Sequence, residues 1–350
     1  MFSRISNPVD FDSSNEDSSI ESDLEIVSSS LGWQTVQKKK IHNGGRVIAL
    51  FEVSNGDIWV AGGDKDWIVR VYGSDLQLKW ELDLHTEEVN IILQHKSYLI
   101  TAADDYTIIW YDIEQNYEHV STLHDIDNEK IVALESYPEW RIVSGGIGPF
   151  IKFWDMLSWK WVKRVNRVTT GHLLNLLYLP DYKYLVALYQ DSVMAFFDVS
   201  SDNIIMKHKV YPKNGPLFNY FYTSRFMRVR KYGQGHLVLG KIWLVRHETI
   251  FKIFSIDSFS VVKTFSMENI LFDFHLHSNG FMTIICQNQL IEVYGAQLSK
   301  NTKLEVTVSR FDIPLKPQGF GYPHNGIIEL RDGRLASGSV DGDIIIMSQH

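Results

Sequence analysis

The hydrophobic positions of this chain fall in short bursts. Val47-Ile-Ala-Leu-Phe, Val89-Asn-Ile-Ile-Leu, Ile131-Val-Ala-Leu, Leu173-Leu-Asn-Leu-Leu and Leu271-Phe-Asp-Phe are examples. Turn signals separate the apolar runs, at Asn55-Gly56, Pro138-Glu139, Pro180-Asp181, Asn279-Gly280 and Asp332-Gly333. Runs so short and so evenly punctuated predict strands rather than helices from Trp33 onward.

The pattern repeats. A bulky residue closes the second strand of each predicted hairpin, at Tyr72, Tyr111, Trp154, Phe197, Phe254, Tyr294 and Met347. The intervals are 39, 43, 43, 57, 40 and 53 residues. Six residues before each anchor stand Asp66, Asp105, Gly148, Asp191, Glu248, Asn288 and Asp341, mostly turn-favouring carboxylates. Four strands with their loops fill about 40–45 residues, the period of a propeller blade.

These residues resemble the WD-repeat β-propeller family. Trp154-Asp155 is that family's closing dipeptide, and Tyr111-Asp112 and Phe197-Asp198 repeat it with another aromatic residue. Gly171-His172 resembles its opening pair; His42, His85, His124 and His324 stand without the glycine. The resemblance covers about residues 32–350 and implies an all-β fold, a seven-bladed β-propeller. The last repeat, Leu335–Ser348, ends beside the C-terminus and lacks an outer strand, while Trp33–Lys40 is a strand without a blade. Pairing the two predicts a ring closed by an N-terminal outer strand, with no open sheet edge at the join. Blade five, about 215–266, is the least regular. Two stretches, about 208–226 and about 296–323, read as long loops, where function often resides.

Composition changes the picture mainly at the N-terminus. The net charge is −8, but residues 1–30 hold seven acidic residues against Arg4 alone. Ten of those thirty are serine, which predicts a disordered acidic tail over 1–31. Ser13, Ser14, Ser18 and Ser19 lie among carboxylates, a context for phosphorylation that would deepen the charge. Asp23-Leu-Glu-Ile-Val27 could add to a partner's sheet edge. The nearly balanced body argues against nucleic acid as a partner. A single cysteine, Cys286, excludes an intrachain disulfide framework. With no signal-peptide pattern, lipidation motif or long apolar run, the expected location is cytoplasmic or nuclear, without membrane insertion.

Candidate chemistry is sparse. His85, Thr101 and Asp105, and again His324, Ser337 and Asp341, could be mistaken for a hydrolytic triad. The resemblance implies instead a hydrogen-bond network bracing each blade, together with Tyr111, Trp154, Asp155, Asp191 and Phe197. A nucleophile needs one special copy, not several similar ones. His275 and His277 share a strand face but have no third metal ligand nearby in sequence. Asp64, Asp66, Asp104 and Asp105 read as turn caps, and Gly145-Gly-Ile-Gly148 as a hairpin turn. No catalytic, cofactor or metal site is therefore expected. Two basic clusters are candidate partner sites for acidic or phosphorylated peptides. One is Lys160, Lys163, Arg164 and Arg167 beside Trp159 and Trp161; the other is Arg225, Arg228, Arg230 and Lys231. The acidic tail could occupy such a patch.

The expected function is a non-enzymatic interaction scaffold or adaptor, a subunit of a larger complex. A ubiquitin-ligase substrate receptor is the alternative, although Trp154-Asp155-Met156 is followed by Leu157 rather than the arginine such receptors carry, and no F-box-length segment precedes the ring. A propeller enzyme would need carboxylates or histidines converging on the channel, and the innermost strands read as mostly apolar.

Overall fold

The computed structural model describes residues 10–11, 33–41, 45–63, 66–125, 127–201, 203–211, 227–232, 235–243, 248–267, 271–277, 282–286, 289–295, 306–312, 326–339 and 341–349. The tail serines, His42, Asp64, Arg225, Asn279-Gly280, Asn288 and His324 lie outside these residues.

The described chain is strands and turns. β1 (Asp10–Phe11) and β2 (Trp33–Lys40) come first. β3 (Val47–Glu52), β4 (Ile58–Gly62), β5 (Val69–Tyr72) and β6 (Leu78–Leu82) form one antiparallel sheet. β7 (Val89–His95), β8 (Tyr98–Ala103), β9 (Thr107–Asp112) and β10 (Glu118–His124) form the next. β11 (Ile131–Tyr137), β12 (Arg141–Gly146), β13 (Phe150–Asp155) and β14 (Lys160–Asn166) follow, then β15 (Leu173–Leu179), β16 (Tyr184–Tyr189), β17 (Val193–Asp198) and β18 (Ile204–Lys209). β19 (Met227–Tyr232), β20 (His236–Trp243), β21 (Glu248–Ser255) and β22 (Ser260–Met267) make another sheet. β23 (Leu271–Leu276), β24 (Met282–Cys286), β25 (Gln289–Gly295) and β26 (Val306–Asp312) make the next. β27 (Ile327–Glu329), β28 (Leu335–Gly338) and β29 (Asp343–Gln349) share a sheet with β2. Six of these sheets are four-stranded; the β15–β18 sheet gains β1 as a fifth strand.

The protein is an all-β β-propeller. The first strands of the sheets touch in the order β3, β7, β11, β15, β19, β23, β27 and back to β3. Middle strands such as β8, β9, β12 and β16 are buried almost throughout, because a neighbouring sheet covers each face. Outer strands are not: β6, β10 and β14 are largely exposed. The core therefore lies between sheets. Trp59 and Val71 pack with Leu99 and Tyr111, Ile100 and Trp110 with Ile142 and Trp154, and Phe196 with Leu237 and Phe254. Ile344 and Ile346 pack with Leu50 and Ile58.

The anchor residues of the sequence repeat have a common place. Pairing of the third strand with the outer strand shifts register at Tyr72, Tyr111, Trp154, Phe197 and Phe254. Such bulges re-aim side chains and sharpen strand twist. β29 and β2 pair antiparallel with the same shift at Met347. The β25–β26 pair, which holds Tyr294, runs in even register.

Two stretches differ from the sequence expectation. Residues 306–312, read as loop, are the outer strand β26. Its sequence alternates valine with polar residues, the two-residue period of a strand. Asp10 and Phe11, read as disordered tail, pair parallel to Lys207 and His208 at the outer edge of β18. That edge is neither of the two basic clusters.

Candidate functional site

Polar groups buried between strands fall into three constellations. The first is the brace of the second sheet. His85, just before β7, places Nδ1 2.9 Å from Asp105 Oδ2 and Nε2 2.7 Å from Thr101 Oγ1. Thr107 donates its hydroxyl to Asp105 Oδ1 at 2.6 Å, and the Thr86 amide donates to Oδ2 at 2.9 Å. Burial alone would raise the Asp105 pKa, but the His85 contact and these donors outweigh it and hold the carboxyl at about 2. Thr101 is fully buried, so its hydroxyl lies inside the network and away from solvent.

The aligned positions elsewhere do different work. Asp66 accepts from the Arg70 guanidinium at 2.8 Å, and Asp191 from the Thr169 hydroxyl. Asp341 is exposed. Ser337 donates its hydroxyl to the Gly326 carbonyl at 2.6 Å. Trp154 is buried and donates from Nε1 to Ser144 at 2.7 Å. Asp155 accepts from the Leu157 amide and the Ser158 hydroxyl, each at 2.9 Å. Asp112 and Asp198 likewise accept amide bonds from the turns after β9 and β17. The aspartate after the anchor thus caps the turn leading to the outer strand. Tyr111 and Phe197 are buried in the seams.

The second constellation stands where the third sheet has Gly148 instead of an acid. Lys152, on β13, is buried with its ammonium 2.5 Å from Asp125, 2.9 Å from Asp127 and 3.4 Å from Glu129. Burial disfavours its charge, but the Asp125 and Asp127 bonds overcome this and raise its pKa. Lys152 and Arg70 both stand two residues before their anchors.

The third lies on innermost strands. His275 on β23 approaches Glu329 on β27 at 3.3 Å, and His277, just past β23, approaches it at 3.0 Å. Buried Asp273 on the same strand faces Arg230 of β19 at 3.7 Å and accepts the Gly326 amide at 2.8 Å. Glu135 of β11 has its pKa pushed up to about 7 by burial, against the pull of the Ser136 and Tyr178 amides. Innermost strands are therefore more polar than their sequence suggested.

The basic clusters separate in space by partner. Arg164 bonds Asp127 at 2.8 Å and lies over the Phe150 ring, while Lys163 lies over Phe153. Arg167 donates to the Ile147 carbonyl at 3.3 Å, and Lys160 is exposed. Beside them Trp161 and Val162 are 46% and 48% exposed. In the other cluster Arg230 faces Asp273, and Lys231 reaches Asp181 at 2.8 Å. The Arg228 backbone belongs to β19.

A further set escaped sequence reading. Tyr117, Trp159 and Phe259, each with φ near +50° to +63°, sit in the turns before outer strands. Their rings pack on Trp59, Trp110 and Phe196 of the preceding sheets, with centroids 5.0, 5.6 and 5.2 Å apart. Left-handed backbone is costly for bulky residues, and the buried ring contact offsets it.

The chain matches no family model. A curated relative from Gallus gallus, described as "p21-activated protein kinase-interacting protein 1-like", is 19% identical over 216 residues. The match covers 62% of this chain and 53% of the relative, so the chain spans about half of that protein's length. The likeness is to a protein described by what it interacts with.

Proposed function

We propose that this protein is a non-enzymatic interaction scaffold: a WD-repeat-like ring of seven blades, closed by β2, that binds acidic or phosphorylated peptides within a larger complex. The observation that carries the binding role is the outer strand β14. It is the last strand of its sheet, and it exposes Trp161 and Val162 next to Lys160. An unpaired strand edge offers main-chain bonds to an extended peptide, and aromatic and cationic side chains offer selectivity. The addition of β1 to β18 supports the same mode, since Asp10-Phe11 is an acidic and aromatic pair on an outer edge. The name of the avian relative, an interacting protein of a kinase, agrees with a binding role.

The seven-blade reading takes the β15–β18 sheet as a blade to which β1 is added, and the succession of first-strand contacts supports it. The return of strand contacts from β27 to β3 and the shared bulge of the β29–β2 pair support closure. The binding test is affinity capture with the full chain and with a Lys160→Glu, Trp161→Ala variant, read by quantitative mass spectrometry and by immunoblot for p21-activated kinase. The reading expects partners that the variant loses at least fivefold. Equal capture by both chains would refute β14 as the binding edge.

A further inference from the structure

His275 and His277 are two residues apart, so their side chains leave the same face of the strand. That face meets β27, and Glu329 on β27 stands between the two rings. Glu329 Oε2 is 3.0 Å from His277 Nδ1 and 3.3 Å from His275 Nε2. One ligand atom from each of the three lies within 4.8 Å of the others. The geometry points to a divalent transition-metal site, with His275 Nε2, His277 Nδ1 and the Glu329 carboxylate as protein ligands and zinc as the ion.

The donor set selects the metal class. Two imidazoles with one carboxylate suit zinc and its neighbours, whereas magnesium and calcium take oxygen shells. The spacing fits as well. Metal–ligand bonds of about 2.1 Å in a tetrahedron place ligand atoms about 3.4 Å apart, close to both Glu329–histidine separations.

The ring of His277 is also held from behind. Its Nε2 lies 2.6 Å from the hydroxyl oxygen of Thr283, which is fully buried on β24. An outer partner of this kind fixes ring rotation and leaves the other nitrogen to the ion. With the metal on Nδ1, the ring proton sits on Nε2 and is donated to Thr283. His275 and Glu329 are 27% and 31% exposed at their side chains, which gives an ion access from solvent. Three protein ligands leave a fourth position for water or for a partner's side chain.

Among the described residues, one other group offers three such ligands: Asp125, Asp127 and Glu129. Lys152 already supplies their cation. No lysine or arginine ion pair reaches Glu329 among the described residues.

The test uses the untagged full chain, stripped with a chelator and titrated with zinc chloride by calorimetry. One equivalent is expected to bind, and Glu329→Gln and His277→Ala each weaken it about tenfold or more. Cobalt(II) in place of zinc is expected to give the intense visible bands of a tetrahedral site, lost in the same variants. Glu329→Gln keeps the shape of an accessible side chain, so it decides the matter if His277→Ala misfolds. The site is wrong if the wild-type chain takes up no zinc, or if Glu329→Gln binds it as tightly.

Discussion

The Asp125–Asp127–Glu129 group and the His275–His277–Glu329 group are similar in size and opposite in logic. In the first, the chain provides its own cation: the Lys152 ammonium is buried among three carboxylates. The arrangement is complete, and its chemistry is spent on holding β13 to the segment before β11. In the second, two imidazole nitrogens and a carboxylate converge, and among the described residues no ammonium or guanidinium pairs with that carboxylate. A buried polar group needs a partner, and the partner can come from the chain or from solution. The contrast shows how one architecture can use similar clusters for bracing and for binding.

The largest expected effect breaks the first member of the pair. Lys152→Met leaves Asp125 and Glu129 without their ammonium partner, with Arg164 still on Asp127, and should cost about 3–5 kcal/mol of stability by chemical denaturation. Added zinc should not restore it.

Next comes the His85 brace, a second self-satisfied network. Asp105→Asn should cost about 1–3 kcal/mol, measured in the same way. The wild-type carboxyl has a folded pKa of about 2, below its ordinary value of 3.8. Its contribution is therefore present above pH 4 and is lost as pH falls toward 2. Asp105→Asn should flatten the acid limb of stability in that window.

Glu135 tests a group with an incomplete environment. Its folded pKa of about 7 lies above the ordinary value of 4.5. Stability from this group is full below pH 4.5 and declines as pH rises to about 7. Glu135→Gln should raise stability at pH 8 by on the order of 1–2 kcal/mol and leave it nearly unchanged at pH 4.

The smallest effect sharpens the comparison from its other side. Without metal, Glu329→Gln should change stability by no more than about 0.5 kcal/mol, as a partly exposed polar substitution does. With zinc, the wild-type melting temperature should rise and that of the variant should not.

Much of the fold was legible because bulky anchors and turn acids recur at blade spacing. Tyr72, Trp154 and Phe254 stand at equivalent bulges, and a bulge position selects for residue size. Trp33–Lys40 was legible as a strand, and it pairs with β29. β26 was not, because an edge strand alternates polar with apolar residues and carries no continuous apolar run. Tyr117, Trp159 and Phe259 were missed because a left-handed turn is normally announced by glycine or asparagine, and here ring packing outweighs that preference. Lys152 was invisible as a brace because its acids belong to the preceding loop. His275 and His277 were noticed, but Glu329 stands 54 residues beyond His275 and reaches it only because adjacent sheets bring β23 and β27 side by side.

The central claim is that one cluster is closed by the chain itself and the other takes an ion from solution. Anomalous diffraction at the zinc edge, from a crystal of the full chain grown with zinc, tests it most directly. The account predicts one strong peak about 2 Å from His275 Nε2, His277 Nδ1 and a Glu329 carboxylate oxygen, and none at Asp125, Asp127 and Glu129. A peak at the Lys152 cluster, or density at Glu329 explained by hydrogen bonds alone, would contradict it.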